Sequence, residues 1–132
     1  MNISLESQSD KNEIVFYDDT HVVIKSPSLP ELINLTDNFI LTPHTLSTKR
    51  IISVNNPPDV DYLKSLHIDV VISTQALNLE NSVRIQQKLA DYAIGIEFMS
   101  FGAACRTYNL LAAENRNILL IAEFDSGIIP KE

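Results

Sequence analysis

Between Asp69 and Ala122 three short apolar runs alternate with two longer stretches of helical periodicity, and this alternation restricts the fold more than any other feature of the chain. Asp69-Val70-Val71-Ile72-Ser73 and Ile118-Leu119-Leu120-Ile121-Ala122 have strand length and near-continuous apolar character. That is the pattern of strands buried on both faces of a parallel sheet. Ile96-Glu97-Phe98-Met99 supplies a third strand. Before it, Ile85, Leu89, Tyr92 and Ala93 fall on one side of a helix, with Arg84, Gln87, Lys88 and Asp91 on the other. Asn81 or Ser82 is the expected cap of that helix and Gly95 its stop. A last helix is expected from about Ala103 to Glu114, which completes a β-α-β-α-β order.

The first half reads differently. Residues up to about Asn12 are polar and aperiodic, as in a loose tail. Ile14-Val15-Phe16-Tyr17 and Val22-Val23-Ile24 flank the turn residues Asp18-Asp19-Thr20, and a third extended run is expected from Leu32 to Leu41, closed by Pro43. Ile51-Ile52-Ser53-Val54 is a further short strand, so this half predicts an antiparallel meander. Asn55-Asn56-Pro57-Pro58 then opens a short helix to about Leu66, with Val60, Leu63 and Leu66 inward. A chain of 132 residues suits one core. The expected organisation is a tail over 1–12, a single α/β domain over 13–125, and a tail over 126–132.

Charge removes two classes of partner. With 17 acidic against 10 basic side chains, the net charge of −7 gives a field that repels a phosphate backbone or an anionic lipid surface. No apolar stretch approaches the roughly 20 residues of a membrane span, so no membrane insertion is expected. The N-terminus has neither a basic start nor an apolar signal core, which predicts a cytoplasmic location. One cysteine excludes a disulfide framework, and His21, His44 and His67 show no metal-ligand spacing, so no metal is expected. Three glycines are too few for a dinucleotide loop, and no cofactor is expected.

The most specific segment is Gly102-Ala103-Ala104-Cys105-Arg106-Thr107-Tyr108-Asn109, preceded by Ile94-Gly95-Ile96-Glu97-Phe98-Met99-Ser100-Phe101 and followed by Glu114-Asn115-Arg116. It resembles the signature of a domain-of-unknown-function family of archaeal, bacterial and mitochondrial proteins. That family includes mitochondrial NADH dehydrogenase 1 alpha subcomplex assembly factor 3 and an adipogenesis-associated domain protein. The resemblance implies an α/β, three-layer fold: a central mixed sheet of about five strands, helices on both sides, and a small additional antiparallel β layer. Three positions depart from the pattern. Phe101 stands where many members have Thr, Ser73-Thr74-Gln75 replaces a Gly-Thr-Gly-like turn, and Asn115 replaces a Gly.

On a helical wheel Ala104, Cys105, Tyr108, Leu111 and Ala112 share one arc, and Arg106, Asn109 and Ala113 the opposite one. Cys105 reads either as a reactive thiol, activated by the helix start and Arg106, or as a small buried packing group. Tyr108 reads as a ligand hydroxyl or a core aromatic. Arg106 and Asn109, with Ser100, Gly102 and Glu97, are candidate binding residues. Arg106 could hold an anion at the helix start or pair with Glu97, itself expected on a central strand. No catalytic set is visible. The leading expectation is a non-enzymatic protein-interaction or assembly factor, which the resemblance links to respiratory complex I. The alternative is a small-molecule or anion-binding protein or enzyme built around Ser100 to Arg106. A protein partner is expected; a homodimer is compatible with the sequence but not fixed by it.

Overall fold

The alternation of the second half folds as the pattern predicts. In a computed structural model of the protein, which describes residues 10–48 and 60–124, the order is β1 (Glu13–Tyr17), β2 (Val22–Lys25), β3 (Ile33–Leu35), β4 (Phe39–Leu41), β5 (Leu46–Ser47), α1 (Val60–Ser65), β6 (Val70–Ser73), α2 (Leu79–Ala90), β7 (Gly95–Phe98), α3 (Phe101–Ala113) and β8 (Ile118–Ala122). Five strands form a mixed sheet in the order β5-β4-β8-β6-β7. β6 lies parallel to both β7 and β8, while β4 is antiparallel to β8 and β5. β1, β2 and β3 form a separate antiparallel sheet. The architecture is α/β with an extra small sheet.

Period-two alternation sorts the main sheet into two cores. Ile118, Leu120 and Ala122 of β8 face one side with Phe39, Leu41 and Ile72, covered jointly by α3 and by Ile14, Val22 and Ile24 of the small sheet. Leu119 and Ile121 face the other side with Ile40, Val71 and Ile96, covered by Leu63 of α1 and Ile85 and Leu89 of α2. All five residues of β8 are buried. Each fully buried large aliphatic contributes roughly 1.5–3 kcal/mol, so the central strand anchors both cores at once.

Several local expectations are corrected. The run from Leu32 to Leu41 is two strands in different sheets, β3 and β4. The polar step Thr36-Asp37-Asn38 divides them: the Asn38 N–H folds onto Asp37 Oδ1, and Asn38 Oδ1 accepts from the Phe124 N–H. α2 begins three residues earlier than expected because Asn78 caps it, its Oδ1 accepting from the Asn81 N–H at 2.8 Å. The left-handed residue after α2 is Ala93 (φ 61°), and Gly95 already belongs to β7. Tyr92 is not on the buried side of α2; it is 46% exposed, with Lys64 Nζ 5.6 Å from its ring centroid. Asn115 takes the left-handed conformation (φ 64°) at the end of α3, where Asn tolerates it. Asn12 is no tail residue: it is buried, and its amide donates to the carbonyls of Thr42 and Thr45. The expected strand Ile51–Val54, the segment 55–59 and the residues 126–132 lie outside the described residues.

Candidate functional site

α3 begins where β7 ends, at the carboxyl edge of the parallel strands, the usual ligand side of an open α/β sheet. The Met99 N–H donates to the Ser73 carbonyl at 3.0 Å, and the Ala104 N–H closes the first helical turn on Ser100 O at 2.8 Å. Ser100 has extended backbone (φ −63°, ψ 161°) but its side chain makes no capping bond, which leaves its hydroxyl exposed beside the helix start. Phe101 packs on Phe124, ring centroids 4.8 Å apart.

Gly102 and Arg106 lie one turn apart on the helix, facing Tyr17 at the end of β1. A Cβ at position 102 would come within 3.2 Å of Tyr17 Cε1 and 3.3 Å of Arg106 Nη1. The glycine thus lets Tyr17 and Arg106 approach the helix closely, and a side chain here would make both give way by a few tenths of an ångström; no special backbone angle is involved. Arg106 Nη1 donates to the Tyr17 hydroxyl at 2.7 Å. Among the described residues Arg106 forms no ion pair with Glu97. Glu97 does not sit on a central strand: β7 is the edge of the main sheet, and the carboxylate is exposed to water.

The other half of the motif joins α3 to the small sheet. Asn109 Oδ1 accepts from the Ile14 N–H at 3.0 Å, and Asn109 Nδ2 donates to the Ile14 carbonyl at 2.7 Å. The side-chain amide thus completes the edge of β1 as a neighbouring strand would. Tyr108 is fully buried and donates its hydroxyl to the Asn12 carbonyl at 2.9 Å. Burial pushes its ionisation upward, and the nearby Glu13 charge adds to this. Both residues are engaged by the fold.

Cys105 is 1% exposed, and burial pushes its thiol from an ordinary 9.0 up to about 12, against the weaker opposite pull of the Arg106 charge. The thiolate, the reactive form, is scarce at neutral pH. Iodoacetamide is therefore expected to alkylate the native protein at least about a hundredfold more slowly than the urea-denatured chain. Because the folded value lies above the unfolded one, the associated stability is complete below pH 9 and lost as pH rises toward about 12. Equal alkylation rates for folded and denatured protein would contradict a packing role.

At the same edge of the sheet, Ser73 is fully buried and its Oγ accepts from the Gln75 N–H at 3.1 Å. Thr74 Oγ1 donates to the Glu123 carbonyl and accepts from the Glu123 N–H, and Gln75 Nε2 donates to Glu123 Oε2 at 2.6 Å. The turn that departs from a glycine-rich pattern is thus a side-chain clasp on the end of β8.

The sequence pattern missed a meeting at the opposite edge. His44 and His67, isolated in the sequence, line one cavity of about 250 Å³ with Thr42, Thr45 and Asn117. Their separation of 23 residues carries no helical or strand period that would signal it. Among the described residues, no three metal-ligating side chains come together.

A family model described as a protein of unknown function (DUF498/DUF598) matches residues 14–122. A 13 kDa major membrane protein of Francisella tularensis subsp. holarctica (strain LVS) is 31% identical over 72 residues, 48% of this chain and 58% of that protein. The match therefore spans less than two-thirds of that relative. A Xanthomonas campestris protein solved by NMR superposes with a TM-score of 0.66 at 23% identity, covering 100% of this chain and 98% of its own. A Mth938-like domain from Bordetella pertussis gives 0.57 at 16% identity, covering 92% of this chain and 93% of its own. At such identities the solved structures establish the fold alone. No helix among the described residues is long and apolar enough to cross a membrane.

Proposed function

The chain belongs to the DUF498/DUF598 family of proteins of unknown function, and from that membership we propose that it is a non-enzymatic protein-interaction domain. The observation that carries this reading is a set of large apolar side chains left in water: Val15 at 44%, Phe16 at 50%, Leu32 at 59% and Leu110 at 59% exposure. Single exposed apolar residues are ordinary, but Val15 and Phe16 are neighbours on β1 of the small sheet, Leu32 immediately precedes its strand β3, and Leu110 lies one turn from the exposed Arg106 on α3. Aromatic and Arg side chains are the types enriched at protein interfaces. The groups that chemistry would need point the same way. Cys105 and Tyr108 are buried and Asn109 is spent on Ile14, so the motif supplies no nucleophile with an adjacent base.

In finer terms the domain acts in the cytoplasm as an assembly factor, with subunits of respiratory complex I as the client that the family resemblance brings. Affinity capture of the full chain after mild cross-linking in its native cells tests this. The expected result is one recurrent partner recovered in stoichiometric amount, and a complex I subunit among the recovered proteins supports the finer reading. Recovery of no recurrent protein would overturn the interaction reading itself.

A second reading is supported by Arg106. Its guanidinium is exposed, bonded to an uncharged hydroxyl, and one turn from a helix start whose cap side chain makes no bond. Phosphate or a small carboxylate would complement that charge. In a thermal-shift titration with phosphate and citrate, this reading requires a rise in Tm that Arg106→Ala abolishes. No shift with wild-type protein eliminates it.

A further inference from the structure

The outer face of the small sheet combines two properties that together specify what would cover it. The first is an apolar surface set by register. β1 carries a bulge between Ile14 and Phe16, which adds Val15 as an extra residue opposite β2. Ile14 and Tyr17 still reach the core, so Val15 and Phe16 are both turned to solvent. Phe16 stands opposite Val23 in the ladder, and the His21 ring holds it from the turn, centroids 5.3 Å apart. Across the sheet Ile33 packs inward, and the preceding Leu32 is 59% exposed.

The second property is charge. Residues 10–48 contain six carboxylates, Asp10, Glu13, Asp18, Asp19, Glu31 and Asp37, against two lysines, Lys11 and Lys25. Asp18 and Asp19 form the exposed turn after Phe16, Glu31 adjoins Leu32, and Asp37 follows β3. Lys11 is turned to Asn115 Oδ1 on the α3 side and to Asp10, while Lys25, exposed on the outward side of β2, stands opposite Glu13 in the ladder, so Asp18, Asp19, Glu31 and Asp37 still outnumber the one lysine on this face. The Thr20 N–H, bonded to Asp18, holds that carboxyl below its ordinary value, so its charge persists into mildly acid solution. A chain of net charge −7 brings like charges together if this face pairs with its own copy.

We infer that the outer face of β1–β3, around Phe16 and Leu32, docks a cationic amphipathic segment of another protein, its apolar side chains on the sheet and its Lys or Arg residues against the acidic rim. This rests on the protein-interaction reading and adds the place and the chemistry of the partner. Phe16 and Val15 supply the apolar anchor, while Asp19 and Glu31 supply orientation and electrostatic attraction. Such binding weakens as salt screens the rim.

The test uses the full chain and three fluorescein-labelled 14-residue peptides: alternating Lys and Leu, alternating Glu and Leu, and alternating Lys and Ser. Anisotropy is expected to show the Lys/Leu peptide bound at least about tenfold more tightly than either control. Phe16→Ser with Leu32→Ser, and separately Asp19→Lys with Glu31→Lys, should each weaken it by about tenfold or more. Both double variants change exposed positions, and circular dichroism checks that they remain folded. The inference is overturned if the Phe16/Leu32 variant binds Lys/Leu as wild type does, if Glu/Leu binds equally, or if sedimentation shows a dimer that Phe16→Ser dissolves. If cross-linked capture still recovers the same partner with both double variants, the interaction reading survives and this face is not its seat.

Discussion

Tyr108→Ala is expected to destabilise the protein by about 3–5 kcal/mol, which is roughly a fifth to all of the whole stability of about 5–15 kcal/mol of an ordinary domain. The ring is fully buried in the core that α3, the small sheet and one face of the main sheet build together. Its removal opens a cavity lined by three elements that are held against one another by the rest of the shared core, so collapse by shifting any one of them is resisted. The hydroxyl adds a separate and smaller contribution. Tyr108→Phe keeps the ring and deletes one buried bond to the Asn12 carbonyl, which costs about 1–2 kcal/mol. Urea unfolding read by circular dichroism separates the two substitutions. A loss below about 2 kcal/mol for the alanine variant would mean that the ring is not the keystone of that core.

What the chain discloses before folding follows the range of the interactions involved. β8 is recognisable at once, because burial on both faces demands five apolar residues in succession, Ile118 to Ala122. The apolar arc of α3 follows from helical period alone, and Ala104, Cys105, Tyr108 and Ala112 are its buried residues. The parts that escape are contacts whose partner lies far along the chain. Asn109 meets Ile14 across 95 residues, and Tyr108 meets Asn12 across 96. Nothing in the local pattern around either end announces them. Likewise Gly102 looks like a helix-start glycine until Tyr17 is seen against it.

The division of Leu32–Leu41 shows a different limit. Apolar residues continue on both sides of Thr36-Asp37-Asn38, so the period signals extended chain throughout. Only the competition between two sheets decides that Ile33 and Leu35 join β2 while Phe39 and Leu41 join β8. The same competition explains why the candidate site separates into two halves. Gly102 and Arg106 face Tyr17 and solvent, and Cys105, Tyr108 and Asn109 weld the small sheet to α3. The family signature therefore records an interface inside the protein as much as any surface offered outward.

That weld makes Asn109→Leu the sharper substitution. Leu keeps the branching and heavy-atom number of the Asn side chain but is bulkier and has neither donor nor acceptor, so the Ile14 N–H and carbonyl are left facing an apolar side chain that also hinders water. Two orphaned backbone groups cost about 2–4 kcal/mol together, on the estimate of about 1–3 kcal/mol for each buried one and the lower part of that range for a half-buried position. Asn109→Asp is not conservative here. It keeps an acceptor for the Ile14 N–H and sets a carboxylate against the Ile14 carbonyl. The loss should be regional, because β6 and β8 pair with each other and with β4 and β7 without Asn109. Native-state hydrogen exchange of the leucine variant is therefore expected to speed the amides of β1–β3 far more than those of β8. If the small sheet forms the docking face, the same variant loses partner binding with β6 and β8 still protected. Uniform acceleration across both sheets would instead make the small sheet part of one cooperative unit, with Asn109 a contributor to global stability rather than the hinge of its attachment.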